Sequence, residues 1–401
     1  MGTVLVIPLA RFIETRAIRL PPDLSQAGPA LLAPLADRIG GHDVIALGEL
    51  NHFVHEKTDF RLLFARFLLV QGWRDVFEEI GWSDGYRIDR YLQTGDESAL
   101  RLPSFDDLTH LRPDRDDRPG GILKVDGYPA AEFVAEQKRF INGLRAAGLP
   151  ARHAGIDIDA LPGGAYDDMA ALLPPNDPRT TPIRQSLQRI PGETPHEEAV
   201  RLRAITIPAD WPPQIAAARD ALAESLDYIA MTYTARTYDA VRPGMAFREG
   251  AMKRRYREAE RLLASERQML LGHALHLAKN DNLIASPGVG PGGDRVPSLG
   301  HWLAQERKRR VLSIWMLYGA GEDCQPLSTL PRRANFPSRT LNAQLARLTQ
   351  APLLFFPADA PGLFDRPVAI GHMYNAVFET PLAAQADAVL YLPRVTPLRA
   401  A

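Results

Sequence analysis

Seven short runs of apolar residues constrain the fold of this chain more than any other feature. Each run is continuous instead of alternating with polar residues, which is typical of strands covered on both faces in a parallel sheet. Amphipathic stretches with helical spacing lie between early runs, at 55–72 and 130–148, and each ends in glycine. This order predicts an α/β fold with a central, mostly parallel sheet flanked by helices. The predicted strands are 43–49, 74–80, 151–158, 267–276, 310–317, 352–357 and 387–393.

Two regions interrupt the order of strand and helix, at about 100–130 and 160–255. Within the second, 172–198 is rich in proline and polar residues and is predicted to be loop, whereas 212–240 has the spacing of a long helix. Insertions of this kind commonly shape substrate pockets. We therefore predict a single α/β domain over residues 1–401, in which the two insertions form a helical cap over a cleft at one edge of the sheet.

Charge and composition exclude several classes of partner. The formal net charge is −1, so there is no global field to attract nucleic acid or an anionic membrane. No stretch reaches the roughly 18 apolar residues of a membrane-spanning helix, and "MGTVLVIPLARF" lacks the features of a secretion signal. One cysteine, Cys324, excludes an internal disulfide framework and suits a reducing cytoplasm. We expect a cytoplasmic protein with a small-molecule partner, and no pattern indicates its oligomeric state.

Ionisable side chains follow four of the predicted strands, at the end where open α/β sheets bind ligands. Two of them, Glu49 and Glu79, are carboxylates that would repel each other and need cationic partners. Arg61 can supply one charge, because it lies about two and a half turns past His52 on the helix that starts there, and the histidines can supply another. Two explanations require no catalytic role. A single strand-end acid can anchor a loop, and residues 55–57 can be surface residues of a first helical turn. The candidate site residues are Glu49, His52, Glu79, Asp157, His273 and His276.

Several well-known motifs are missing or incomplete. No G-x-S-x-G sequence is present, which argues against the serine nucleophile of an α/β-hydrolase. The stretch "HEEAV" has Val200 where the second histidine of the zinc-binding H-E-x-x-H motif belongs. "GVGPGG" (288–293) fits G-x-G-x-x-G, but it contains proline and opens no helix directly, so we predict a plain loop. The strand-end acids and histidines are left as the candidate chemical groups.

The motifs that carry these groups resemble the erythromycin esterase family. Its members have a Gly-Glu-x-(Ser/Thr)-His-Gly stretch, a helix with an arginine and a strand ending in Glu-x-Gly-(Phe/Trp), and this chain has "ALGELNHFVHEKTDFRLLFARFLL" and "GWRDVFEEIGW". The later stretches "AGIDIDA", "REGAMKRRYREAERLL" and "LLGHALHLAKN" are similar to the family's Gly-x-Asp strand, Arg-Asp-x-x-Met helix and His-Asn-x-His strand end. The likeness spans most of the chain except about 165–240.

The resemblance implies both a reaction and a set of catalytic positions. The reaction is hydrolysis of a cyclic ester without a serine nucleophile. In this hypothesis His52 is the general base that activates water and is held by Glu49 or Glu79. Arg61 and one of the two later histidines would polarise the carbonyl or stabilise the oxyanion. The matching positions are Glu49, His52, Arg61, Glu79 and His276, with His273 beside them.

Two departures from the family pattern lie beside the proposed catalytic residues. The family's glycine after the first histidine is Phe53 here, and its asparagine after His273 is Ala274. Phe53 fills space beside the base and Ala274 removes an amide, so we expect a polyketide-like or other natural-product ester or lactone instead of a macrolide antibiotic. Trp82 and Trp302 either line an apolar pocket or pack into the core. The residues predicted to bind substrate are Phe53, Trp82, Asp157 and Arg248.

Three alternatives to hydrolysis stay open. The same site can take a proton from carbon or from a hydroxyl, as a biosynthetic tailoring enzyme would in elimination, dehydration or cyclisation. No cofactor is expected, but imidazole and carboxylate ligands suit zinc or manganese, so a metal-binding protein is the second alternative. The third is a family member that keeps the fold and has lost activity. The metal ligands in the second alternative are His52, Glu79, His273 and His276.

Overall fold

The computed structural model describes residues 6–100, 130–159, 163–188, 190–232, 238–285, 296–323 and 332–398. The chain divides into two compact units, of which the first comprises residues 1–74, 125–151 and 267–401. The second unit comprises residues 75–124 and 152–266, so the predicted insertion at 160–255 lies within it. The insertion at about 100–130 lies almost entirely outside the described residues, as do Cys324 and the predicted loop at 288–293. A cap over a cleft stays a prediction.

All seven predicted strands are present, because short continuous apolar runs bury both faces of a strand. Their bounds agree with the prediction to within a few residues, except that the sixth strand of the chain continues to Asp323. The strands are β1 (Ile18–Arg19), β2 (Val44–Glu49), β3 (Asp75–Gly81), β4 (Arg152–Asp157), β5 (Gln268–His273), β6 (Val311–Asp323), β7 (Arg332–Arg333), β8 (Leu353–Phe355), β9 (Pro367–His372), β10 (Ala376–Pro381) and β11 (Ala388–Val395).

The sheet topology confirms the predicted α/β class with mostly parallel pairing. In the first unit the hydrogen-bonded order is β1-β8-β11-β6-β2-β5. The inner pairs β11–β6, β6–β2 and β2–β5 are parallel, and the edge pairs β1–β8 and β8–β11 are antiparallel. β9 and β10 form a separate antiparallel hairpin that the sequence did not predict. In the second unit β3 and β4 are parallel, with a register shift between Glu78 and Gly81.

Helices flank these strands. They are α1 (Val6–Arg16), α2 (Ala33–Ile39), α3 (Glu56–Val70), α4 (Trp82–Thr94), α5 (Ala130–Ala146), α6 (Gly163–Leu172), α7 (Thr180–Ser186), α8 (Pro195–Arg203), α9 (Pro213–Thr232), α10 (Tyr238–Leu263), α11 (Leu299–His301), α12 (Leu341–Leu348) and α13 (Leu382–Gln385). None of the described helices has both the length and the hydropathy to span a bilayer.

Helices α7 and α8 show that the prediction of loop over 172–198 is wrong for residues 180–186 and 195–198, which are helical. The side chain of Thr194 accepts a hydrogen bond from the backbone N–H of Glu197, whose side chain accepts one from the backbone N–H of Thr194. This capping box stabilises the first turn of α8, and Pro195 occupies a first-turn position, where its missing N–H costs nothing. Proline in this segment therefore starts a helix instead of breaking one.

Candidate active site

The first unit carries a buried carboxylate, Glu49, at the end of β2. Every residue of β2 is buried, so the strand delivers this side chain into the interior, where it is 2% exposed. Arg61 Nη2 lies 2.6 Å from its Oε2, and Lys57 Nζ lies 3.2 Å from its Oε1. Burial alone would raise the pKa of Glu49, but the charges of Arg61 and Lys57 and the hydrogen bond from His52 hold it well below its usual range. Glu49 is thus an ionised group between two cations.

The first turn of α3 is not at the surface, which corrects the prediction for residues 55–57. The Lys57 side chain is 5% exposed and pairs with Glu49. His55 and Glu56 are half-buried, and His55 bonds Glu136 of α5. Sequence reasoning missed Lys57 as a partner of Glu49, although a signal was present. Lys57 lies four residues before Arg61, so both cations project from one face of α3.

His52 lies in the turn between β2 and α3, and its ring contacts the buried carboxylate. Its Nδ1 is 2.7 Å from Glu49 Oε1, and its side chain is 24% exposed. Because Glu49 is ionised and can only accept, Nδ1 must carry the proton of this hydrogen bond. In the neutral ring, Nε2 is then left with a free lone pair. This is the arrangement of a general base that is oriented by a carboxylate.

Backbone hydrogen bonds fix the turn that carries His52 from two directions. The carbonyl oxygen of Leu50 accepts a hydrogen bond from the N–H of Met373 over 2.9 Å. The N–H of His55 donates to the carbonyl of Thr396 over 2.9 Å. Because both ends of the turn are held by distant parts of the first unit, His52 has a defined position relative to Glu49.

Strand β5 brings a second imidazole to the site. His273 is the register partner of Glu49 across the parallel β2–β5 pair, and its ring centroid lies 5.1 Å from that of His52. The N–H of Leu275 donates to His273 Nδ1 over 3.3 Å. A neutral His273 therefore carries its proton on Nε2, where it is a hydrogen-bond donor. His276 lies in the turn after β5, with its ring centroid 6.2 Å from that of His273.

A further histidine near the site, His372, was missed by the sequence analysis. It ends β9, and its ring centroid lies 6.1 Å from that of His273 and 5.5 Å from that of Phe378. Burial lowers the pKa of His372 to about 4, so the ring is neutral near pH 7. A signal was present, because "AIGH" (369–372) repeats the apolar run with a Gly-His end that "LLGH" (270–273) shows.

The two positions that depart from the family pattern are both packed into the first unit. Phe53 is buried, with its ring centroid 5.9 Å from that of His52 and 6.4 Å from that of Phe133. Ala274 is buried against the end of β2, where a Cβ added to Gly48 would lie 2.8 Å from Ala274 Cα. Gly48 is therefore required by the close approach of the two backbones.

The second unit groups three other predicted site residues into a cluster of its own. Arg248 of α10 places Nε 2.9 Å from Asp157 Oδ1 and Nη2 2.9 Å from Glu79 Oε1. Asp157 also accepts from the N–H of Ile158 over 2.8 Å, which fixes the carboxylate. The Arg248 side chain is 28% exposed, and both carboxylates are buried. The cation beside Glu79 is thus Arg248, which the sequence analysis did not name as its partner, and Arg61 pairs with Glu49.

Trp82 lies in the apolar core of the second unit. It begins α4, stacks on Tyr86 with ring centroids 5.3 Å apart, and packs among buried residues of α6 and α9. Trp302 is buried as well. Packing accounts for Trp82 as a core residue, and burial is consistent with the same place for Trp302. A part for Trp82 in substrate binding stays a prediction.

Metal ligation is the remaining question of site chemistry. Within the ranges that the structure describes, no three His, Cys, Asp or Glu side chains are grouped so that they could hold a metal ion. The predicted set of His52, Glu79, His273 and His276 includes members of both units. A divalent metal stays an expectation to be tested by metal analysis of the purified protein.

Comparison with known proteins identifies the fold. No protein family model and no curated protein sequence matches the chain. A Bacillus cereus protein matches with a TM-score of 0.70 and 15% identity over 99% of both chains, and a succinoglycan biosynthesis protein matches with 0.70 and 14% identity over 100% of both. A mutant of the erythromycin esterase EreC, in its open conformation, matches with 0.61 and 18% identity over 95% of this chain and 97% of its own. The chain therefore has an erythromycin esterase-like fold.

Proposed function

We propose that the protein is an enzyme that hydrolyses an ester or lactone of a natural product, with His52 as the general base. The observation that carries this proposal is the contact of 2.7 Å between Nδ1 of the partly exposed His52 and the buried, ionised Glu49. A buried carboxylate of this kind orients an imidazole and stabilises its protonated form. The erythromycin esterase-like fold supports the substrate class, since EreC is named for hydrolysis of an ester.

The mechanism follows from the two ring nitrogens of His52. Nδ1 donates to Glu49, so Nε2 accepts a proton from water as the water oxygen attacks the carbonyl carbon of the ester. Negative charge develops on the carbonyl oxygen, which the Nε2–H of His273 can stabilise by donating a hydrogen bond. When the C–O bond of the ester breaks, the proton on His52 passes to the leaving alcohol oxygen, and the acid product is released.

The remaining predicted residues have contacts that favour holding a catalytic group or binding substrate over direct proton transfer. Arg61 lies against Glu49 and its side chain is almost wholly buried, so we assign it to keeping Glu49 ionised instead of to direct contact with a carbonyl. Glu79 and Asp157 hold Arg248, whose side chain is partly exposed and whose guanidinium is of a type suited to binding a polar or anionic part of a substrate. His276 stays a proposed catalytic residue beside His273.

A second chemistry, proton abstraction in a biosynthetic step, is favoured by one observation. A structure with a TM-score of 0.70 to this chain is described as a succinoglycan biosynthesis protein, and a carboxylate-held imidazole also removes protons from carbon or hydroxyl groups. In that case the product would form by elimination or ring closure, and water would not enter it.

Turnover in ¹⁸O-labelled water separates the two chemistries. The substrates are macrocyclic lactones including erythromycin, small lactones and simple alkyl esters, and mass spectrometry reads the products. Hydrolysis places one ¹⁸O atom in the acid product, and His52→Ala lowers its rate by about 100-fold or more. His42→Ala is the matched control, because His42 is also half-buried but precedes β2 instead of following it. An unlabelled product, or a His52→Ala rate within about tenfold of wild type, contradicts the proposal.

A further inference from the structure

We propose that His372 is a further catalytic residue of this site, a neutral imidazole whose Nε2–H donates a hydrogen bond to the oxygen of the reacting carbonyl together with His273. This inference rests on the proposed function and goes beyond it, because the sequence analysis did not name position 372 and the proposed mechanism does not use it. The two rings are neighbours, with centroids 6.1 Å apart.

The position of His372 is fixed relative to the base. It ends β9, and the next residue, Met373, donates its N–H to the carbonyl of Leu50 over 2.9 Å. Leu50 follows Glu49 directly and begins the turn that carries His52. The hairpin of β9 and β10 is therefore attached to the turn that carries His52 by a backbone hydrogen bond next to His372.

The surroundings of the ring decide which nitrogen carries the proton. Nδ1 of His372 is buried and meets no hydrogen-bond partner among the described residues. A proton on Nδ1 would leave a donor unsatisfied in the interior, which is costlier than a lone pair without a donor. The proton therefore resides on Nε2. Burial also lowers the pKa of His372 to about 4, so the ring stays a neutral donor at neutral pH.

Backbone strain beside His372 supports a functional role for the hairpin. Tyr374 and Asn375, in the connection between β9 and β10, have φ angles of 64° and 55°. Such conformations cost roughly 1–3 kcal/mol for a residue like tyrosine and persist only where the surroundings hold them, which is frequent at active sites. Here Asn375 Oδ1 accepts from the N–H of Asn335 over 2.8 Å, and its Nδ2 donates to the carbonyl of Arg333 over 3.2 Å.

The neutrality of the ring matters for the chemistry. When His52 takes the proton from water it becomes a cation, and a second imidazolium close by would oppose that step. Neutral N–H groups stabilise an oxyanion without adding a competing charge. His273 and His372 have the same proton arrangement, with Nε2 as the donor, so the pair forms the elements of an oxyanion site next to the base.

The tautomer of His372 can be read without any substrate. The full chain is labelled with ¹⁵N-histidine, and long-range ¹H–¹⁵N spectra are recorded between about pH 5.5 and 9. His372→Gln removes one set of signals and so assigns them. We expect a neutral ring protonated on Nε2 throughout this range. A ring protonated on Nδ1, or one that titrates with a midpoint above about pH 6, overturns the inference.

Kinetics test the role of the donor itself, on the ester or lactone that the labelled-water assay finds hydrolysed fastest. His372→Phe keeps an aromatic ring without nitrogen, and we expect kcat to fall by about 100-fold with a much smaller change in KM. His372→Gln restores a donor near the Nε2 position and should recover about tenfold or more of that loss. The matched control is His42→Phe, because His42 also has a buried Nδ1 without a partner among the described residues.

A wild-type kcat in His372→Phe overturns the inference while leaving the proposed function intact. An equal loss in the Phe and Gln variants overturns it as well, since a purely structural role does not depend on a donor. If no ester or lactone is hydrolysed by the wild type, the proposed function fails instead, and the spectra still decide the state of His372. The spectra of the wild-type protein also decide the protonation state of His372 if the His372→Phe variant does not fold.

Discussion

The two units carry charge clusters of opposite composition. In the first, the buried anion Glu49 lies between the cations Lys57 and Arg61. In the second, the cation Arg248 lies between two buried carboxylates, one on β3 and one at the end of β4. With every group ionised, the first cluster has a charge of +1 and the second a charge of −1. Both arrangements satisfy charges in a low-dielectric interior, but they present different groups to solvent.

Each cluster includes one partly exposed side chain, and the two side chains differ in chemistry. The His52 side chain of the first cluster is 24% exposed, and the Arg248 side chain of the second is 28% exposed. An imidazole exchanges protons near neutral pH, whereas a guanidinium stays charged and can only bind or hold. Under the proposed function, proton transfer is therefore expected of the first unit and binding of a polar group of the second.

The largest expected effect is a loss of activity on neutralising Glu49. Glu49→Gln removes the charge that orients His52 and stabilises its protonated form, so kcat should fall by about 100-fold or more. Asp157→Asn, the matching change in the second cluster, should alter kcat by less than about tenfold, because a guanidinium transfers no proton. Steady-state kinetics on the preferred ester measure both. Equal losses of kcat in the two variants would break the comparison.

The next effect concerns stability. Arg61→Met leaves Glu49 with only Lys57 as a charged partner, and we expect a loss of about 3–5 kcal/mol, the range for a broken buried ion pair. The double variant Glu49→Gln/Arg61→Met removes both charges and should lose less than Arg61→Met alone. Urea denaturation at neutral pH measures these values. Strictly additive losses would show that the two side chains are not energetically coupled.

The smallest effect is a dependence of stability on pH. The folded pKa of Glu49 is depressed, so its contribution is complete above the unfolded value of about 4.3 and is lost as pH falls below it. The stability difference between wild type and Glu49→Gln should be constant from about pH 8 to 5.5. Below about pH 4.3 it should shrink by at most about 1.4 kcal/mol for each pH unit. A difference that does not change in acid would show that Glu49 is not held ionised.

The strands were predictable because their signal is local. A continuous apolar run such as that of β2 has one low-energy destination, the interior of a sheet. The β9–β10 hairpin lacked the usual signal, since its connection contains Tyr374 and Asn375 at positive φ where Asn-Gly or Gly is the common choice. Proline misled the prediction for α8, because its effect depends on whether it falls in the first turn or in the interior of a helix.

The candidate site was predictable only where residues lie at strand ends. The rule that parallel strands deliver groups to one edge brought together Glu49 and His273, which are register partners. It could not show that α3 turns its first residues inward, so Lys57 was assigned to the surface. His372 lies on an unpredicted strand, and its proximity to His273 depends on tertiary packing that no local pattern reports.

The attachment of residues 54–56 to residues 396–397 has a consequence for biosynthesis. Thr396 bonds the Glu56 side chain through its backbone N–H at 2.8 Å and its hydroxyl at 2.7 Å, and Pro397 bridges to Val54. These partners are separated by 340 positions in the chain, so the ribosome must synthesise Thr396 before the turn that carries His52 can be locked. Under the proposed function, a nascent chain should therefore be inert until Thr396 has been added, and we expect a version that stops at Val395 to keep β11 but to hydrolyse esters far more slowly.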